Sequence, residues 1–158
     1  MSRFIIIPLI LLQFHAVIAQ GPQGSWSDHF PYHSVFFVTG GEDEIYGSTE
    51  HAITIFNNTY QEIRKLSKVN GLSDCSISAI EYSKDENVLL IAYSSGNIDI
   101  YAEGRINNIP DIMNYFLPGG IEINRIRSYN EYSYLATNHG IIIINIEKII
   151  DDLELVLT

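Results

Sequence analysis

Basic residues and helix-building runs are what this sequence lacks most. Nine lysines and arginines stand against nineteen aspartates and glutamates, for a formal net charge of −10. A surface that acidic repels phosphates, which argues against nucleic acid and anionic lipid as partners. The single cysteine, Cys75, excludes an internal disulfide, and its expected role is a small apolar filler in the core. Runs of Ala, Leu and Lys at helical spacing are scarce, whereas Ile, Tyr, Phe, Ser, Asn and Gly are plentiful. That balance favours strands over helices.

One apolar run opens the chain. Arg3 supplies a positive charge, Phe4 to Leu12 is apolar apart from Pro8, and the segment closes on Ala16-Val17-Ile18-Ala19-Gln20. This is the anatomy of a secretory signal peptide covering residues 1–19, too short to span a bilayer as a stable helix. No cysteine follows the expected cleavage site, so nothing points to a lipoprotein. The mature chain is expected to be exported to the periplasm or cell surface, and not to be an integral membrane protein after cleavage.

What the rest contains is a repeat. "LLIAYSSGNIDIY" (Leu89 to Tyr101) is echoed by "YLATNHGIIIIN" (Tyr134 to Asn145) and more faintly by "IYGSTEHAITIF" (Ile45 to Phe56). Aligned on their last residues, the copies lie 45 and 44 positions apart. Each copy predicts the same succession of short strands. The first has Val35 to Thr39, Glu44 to Ser48, Ala52 to Phe56 and Glu62 to Leu66. The second has Ile77 to Tyr82, Val88 to Tyr93, Ile98 to Ala102 and Arg105 to Ile109. The third has Ile123 to Tyr129, Tyr132 to Thr137 and Ile141 to Ile146, with a fourth strand expected in "DDLELVLT". Gly96 and Gly140 fall where a tight hairpin needs a positive φ, and His51 takes that position in the first copy.

Val88 to Tyr93 is apolar on both faces, with Leu89, Ile91 and Tyr93 pointing one way and Val88, Leu90 and Ala92 the other. Ile141 to Asn145 reads the same way. Such strands need cover on both faces, as a sheet stacked between similar sheets provides. Small four-stranded antiparallel sheets at a period of about 45 residues are the signature of β-propeller blades. A β-sandwich has no reason to repeat at that interval. The expected fold is therefore all-β, about three blades of an incomplete ring: 35–66, 77–109 and 123–158. An uncovered end face carrying about four large apolar side chains would cost on the order of 6–12 kcal/mol, comparable to the ~5–15 kcal/mol of a whole domain. The chain is thus expected to be the N-terminal piece of a longer protein, the alternative being copies assembled into a ring.

The segment "LSKVNGLSDCSISAIEYSKDENVLLIAYSSGNIDIY" resembles the first blades of the PorZ family of the type IX secretion system of Bacteroidetes. The matching features are Leu66-Ser67-Lys68, Asn70-Gly71-Leu72-Ser73-Asp74, the strand with Ile77, Ile80 and Tyr82, and the Gly96-Asn97-Ile98-Asp99 hairpin. The opening "GSWSDHFPYHSV", with Trp26, His29 and Tyr32, is also similar to that family's start. The Asn-Gly-Leu element also occurs in periplasmic sensor propellers of hybrid two-component regulators. Those usually carry a Trp-containing strand followed by Gly-Thr, where this chain has Ile91-Ala92-Tyr93.

The resemblance implies two consecutive propellers and a C-terminal β-domain, of which only the first blades are represented here. It implies a non-enzymatic scaffold or binding part of the surface complex that processes secreted cargo and attaches it to lipopolysaccharide. Other secretion-system proteins and lipopolysaccharide glycan would be its partners. The alternative is the sensor propeller of a hybrid two-component regulator. No family site residue maps onto the sequence.

Chemistry-bearing patterns are few. His29 and His33, with Asp28, have a helix-face spacing, but Pro31 between them makes the stretch extended, so no metal is expected. Glu42-Asp43-Glu44 and Asp85-Glu86 fall in expected turns, where solvated acids need no special role, and lack calcium-loop spacing. Asn57-Asn58-Thr59 fits the N-glycosylation pattern. No Gly-x-Ser-x-Gly elbow, phosphate loop or His-Glu-x-x-His occurs, and no catalytic residue or cofactor is expected. Of the ten tyrosines, Tyr82, Tyr93 and Tyr101 are expected to pack between blades. Tyr32, Tyr115 and Phe116, in loops, are the expected binding residues.

Overall fold

The computed structural model describes residues 32–115 and 117–150. The expected signal peptide, the opening residues with Trp26, Asp28 and His29, the fourth strand expected within residues 151–158, and Phe116 lie outside the described residues.

Eleven strands form three antiparallel meanders among the described residues. The first sheet holds β1 (Phe37–Gly40), β2 (Glu44–Ser48), β3 (Ala52–Asn57) and β4 (Glu62–Ser67). The second holds β5 (Ile77–Ser83), β6 (Val88–Tyr93), β7 (Ile98–Ala102) and β8 (Arg105–Ile109). The third holds β9 (Ile123–Tyr129), β10 (Tyr132–Thr137) and β11 (Gly140–Asn145). Each sheet runs in chain order, and β5 lies beside both β1 and β9. The leading strands of the three sheets thus sit next to one another, joined by Tyr82 N donating to Thr39 Oγ1 at 3.1 Å and by the Arg127–Glu81 pair at 3.3 Å.

The expected all-β stack of propeller blades is what the chain forms, and no ring closes among the described residues. The two-sided strand β6 explains the stacking. Leu89, Ile91 and Tyr93 enter one core with Tyr46, Ile53 and Ile55 of the first sheet. Val88, Leu90 and Ala92 enter the other with Ile123, Ile126 and Leu135 of the third. All six β6 residues are buried, as the alternation requires.

The linker between the first two sheets is fastened at each step. Ser67 N donates to Asn70 Oδ1, and Asn70 Nδ2 donates to the Lys65 carbonyl at 2.6 Å. Gly71 turns the chain at φ 136° and Leu72 drops into the first core. Ser73 N then donates to Asp99 Oδ2 at 2.9 Å, and Ser95 Oγ donates to Asp74 Oδ2 at 2.6 Å. Asp99 is fully buried, with its carboxylate also accepting from Tyr93 Oη at 2.6 Å and Asn108 Nδ2 at 2.8 Å. A buried carboxylate with three donors is compensated and ties the Asn-Gly-Leu-Ser-Asp segment to β7.

Two expectations are corrected. His51 does not take up a positive φ, whereas Gly96 and Gly140 do. In the first hairpin Thr49 Oγ1 accepts from Ala52 N at 3.2 Å, so a side chain closes the turn without left-handed backbone. Cys75 is exposed, because it follows Asp74 in the linker, its N–H bonded to the Asp74 carboxylate at 2.7 Å. The third sheet has three strands among the described residues, and the stretch in which a fourth is expected lies outside them. After β11 the Asn145 side chain accepts from Lys148 N at 2.8 Å, capping a helical turn over residues 146–150. The loop after β8 contains one helical turn, α1 (Asp111–Asn114).

Candidate functional site

In the two four-stranded meanders the first-to-second and third-to-fourth strand turns project from the same end. Where the first two sheets meet, three of these turns surround a groove of about 930 Å³. They are the β1–β2 turn with Gly41, Glu42 and Asp43, the β5–β6 turn with Lys84 and Asn87, and the β7–β8 turn with Glu103 and Gly104. Glu103 and Gly104 both have positive φ, 48° and 79°, as a tight two-residue hairpin demands.

Three tyrosines bring their rings together at its base. Tyr46 stacks on Tyr82 with centroids 5.6 Å apart, and meets Tyr101 edge to face at 6.3 Å. The seat of Tyr82 is made by a glycine. A Cβ on Gly41 would lie 2.5 Å from the Tyr82 ring, so that residue must be bare for the ring to lie there.

Glu44 organises the polar side. It accepts from Tyr46 Oη at 2.8 Å, from Asn57 Nδ2 at 3.4 Å and from the Arg64 guanidinium. Arg64 in turn donates to Tyr101 Oη at 3.1 Å. Strand alternation places this cation inward, since Arg64 pairs with Ile55 and Leu66 with Ile53 across β3 and β4. Burial, followed by the hydrogen bond to Glu44, raises the Tyr46 phenol far above its ordinary value. Burial and then the Glu44, Glu42 and Asp43 charges raise that of Tyr82. Both phenols therefore stay protonated and serve as hydrogen-bond donors.

Of the sequence-based binding candidates, Tyr32 and Tyr115 do not line this groove. Tyr32 sits beside the first sheet, its ring centroid 4.1 Å from Lys65 Nζ, a cation–π contact. Tyr115 follows α1 and is 66% exposed, and Phe116 is outside the described residues. Tyr82, Tyr93 and Tyr101 pack between the first two sheets as expected, joined by Tyr46, which the sequence reading missed. The reading of Glu44 as a solvated turn acid is also corrected: it begins β2 and is largely covered by its three donors. Alternation in β2 and β4 was the available signal, because Tyr46 and Arg64 share a face with Ile53 and Ile55 through their pairings. The glycosylation pattern meets a similar obstacle, since Asn57 Nδ2 is engaged with Glu44 and its Oδ1 accepts from Thr59 and Tyr60 N–H groups.

The N-terminal β-propeller domain model of PorZ, of the type IX secretion system, matches residues 45–152. The solved PorZ of Porphyromonas gingivalis, described as an essential bacterial surface component of that system, superposes with a TM-score of 0.72 at 26% identity. The match covers 79% of this chain and 17% of that one, so the chain spans about a sixth of its solved relative. BamB from Moraxella catarrhalis matches at a TM-score of 0.44 and 15% identity, over 67% of this chain and 30% of that one. No curated protein matches the sequence.

Proposed function

The chain belongs to the PorZ N-terminal β-propeller family, and on that premise we propose that it is an exported, non-enzymatic scaffold or binding part of a type IX secretion system. The observation that carries this reading is the family match across both inter-sheet cores, together with the likeness to a secretion-system surface component. Two features of the molecule support it. No helix among the described residues is long and apolar enough to cross a membrane. The groove gathers protonated phenols, carboxylates, amides and a lysine, with Glu44 committed to Arg64, an arrangement suited to holding a ligand. Other secretion-system proteins are the proposed partners, with lipopolysaccharide glycan as a second ligand class. Tyr32, Tyr115 and Phe116 are proposed as further contacts.

The test is deletion of the gene in its source organism, followed by measurement of cargo processing and surface attachment. Cargo that remains unprocessed or unattached supports the reading, provided the intact gene restores it. Normal processing and attachment in the deletion strain would overturn it.

A further inference from the structure

The groove between the first two sheets has more acceptors than it can satisfy from within. Glu44 and Arg64 neutralise each other. The hydroxyl protons of Tyr46 and Tyr82 are already given to Glu44 and Asn87. What stays on the lining is Glu42, Asp43 and Glu103 against a single ammonium, Lys84. The Asp43 carboxylate accepts from the Thr59 hydroxyl at 3.2 Å. A neutral or anionic ligand would meet Lys84, the Asn87 amide and the Tyr101 hydroxyl as donors, whereas a cation with several N–H groups would meet three carboxylates from two sheets.

Size narrows the class further. About 930 Å³ is near the upper end for a ligand pocket, ~300–1,000 Å³, and far more than a bare metal ion occupies. The half-buried Tyr82, stacked on Tyr46 and seated against Gly41, stands on the same lining and supplies an aromatic ring beside these carboxylates.

We propose that this groove takes up a basic segment of a protein partner, with an arginine or lysine head group against Tyr82 and between Glu42, Asp43 and Glu103. The proposal rests on the reading of the chain as a binding part, and names the chemistry of one partner. The negative charge of the whole chain, −10, would draw such a segment in and make the association salt-sensitive.

The probe is the blocked peptide acetyl-Gly-Arg-Arg-Gly-amide, titrated by calorimetry into the full-length protein at low salt. Binding that weakens at least about tenfold in E42Q/E103Q, the size expected from losing two charge-assisted contacts, supports the proposal. Lys84→Gln should leave binding unchanged or tighten it. Both glutamates sit in turns, and circular dichroism verifies that the double variant is folded. If it is not, Tyr82→Leu serves as the second variant, with the same expected loss. Equal binding by wild type and folded variants, or equal binding of the matching Glu-Glu peptide, would overturn the proposal, as would no binding. Secretion lost on gene deletion alongside a peptide that does not bind would discard the ligand and keep the secretion reading. Binding of the peptide alongside normal secretion would do the reverse.

Discussion

β6 and β11 are written in the same apolar alphabet, yet the structure treats them differently. Every residue of β6 is buried, while Ile141 and Ile143 of β11 are 72% and 59% exposed. Pairing distinguishes them in part, since β6 is hydrogen-bonded to both β5 and β7, whereas β11 pairs only with β10 among the described residues. The other difference is the neighbouring sheet. β6 belongs to a sheet with sheets on both sides, and the third sheet packs only its Leu135 and Ile126 face against the second. The first sheet mirrors this, with Val38, Ile45 and Ile63 exposed on the face away from Ile53 and Ile55. An apolar strand therefore states a demand for cover, and its place in the stack decides whether the described residues meet it.

The sharpest way to break this comparison is to truncate one side chain in each strand. Leu90→Ala opens a hole in the core between the second and third sheets and should cost about 2–5 kcal/mol. Ile143→Ala removes a side chain that already meets solvent and should cost less than about 1 kcal/mol. Urea denaturation of the two variants measures both. A cost at Ile143 close to that at Leu90 would mean that the outer face of the third sheet is covered in solution.

A second pair of substitutions separates backbone strain from crowding within one sheet. Gly96 and Gly104 have similar φ, 83° and 79°. A Cβ on Gly96 would lie 2.7 Å from the Ile121 carbonyl oxygen at the seam with the third sheet, and one on Gly104 would meet nothing within 4 Å. Alanine at Gly104 should cost about 1–2 kcal/mol, the left-handed penalty alone. Alanine at Gly96 should cost more, because the seam must also shift. Equal melting temperatures for the two variants would show that the Gly96 turn yields without disturbing Ile121.

The strands were legible in the sequence because their signals are local. The period-2 alternation of Ile77 to Tyr82 and the Ser-Ser-Gly-Asn turn specify a hairpin without reference to anything distant. Both faces of β6 were legible for the same reason, although which sheet covers each face follows only from the repeat. The groove was hidden because it belongs to two sheets. Tyr46 and Tyr101 lie far apart in sequence and meet across the stack, and Glu44 reads as one acid in a run of three until Arg64 is seen beside it. His51 misled for a different reason: the repeat predicted a backbone conformation, and the Thr49 hydroxyl supplied another way to close the same turn. The helical turn at residues 146–150 was lost because the Ile-rich run continues past Asn145 and only the cap marks the change.

The smallest effect lies at the seam between the first two sheets, where Asp74 holds the linker to the β6–β7 turn. The Ser95 hydroxyl, then the Cys75 N–H and the Lys68 charge, lower its carboxyl below the ordinary value, outweighing the opposing effect of burial. A group whose pKa is depressed on folding contributes stability above its unfolded value, near 3.9, and loses it as pH falls through the folded value. Asp74→Asn should therefore destabilise the chain at neutral pH by less than about 1 kcal/mol, given partial solvent screening. The gap from wild type should shrink as the pH is taken below about 4. Ser95→Ala should reproduce part of the loss, with the same pH trend, because the hydroxyl is the largest lowering influence. Paired denaturation curves at neutral and acidic pH decide the matter: a gap that stays constant with pH would make Asp74 a neutral hydrogen-bond acceptor, and the charge at this seam irrelevant to its strength.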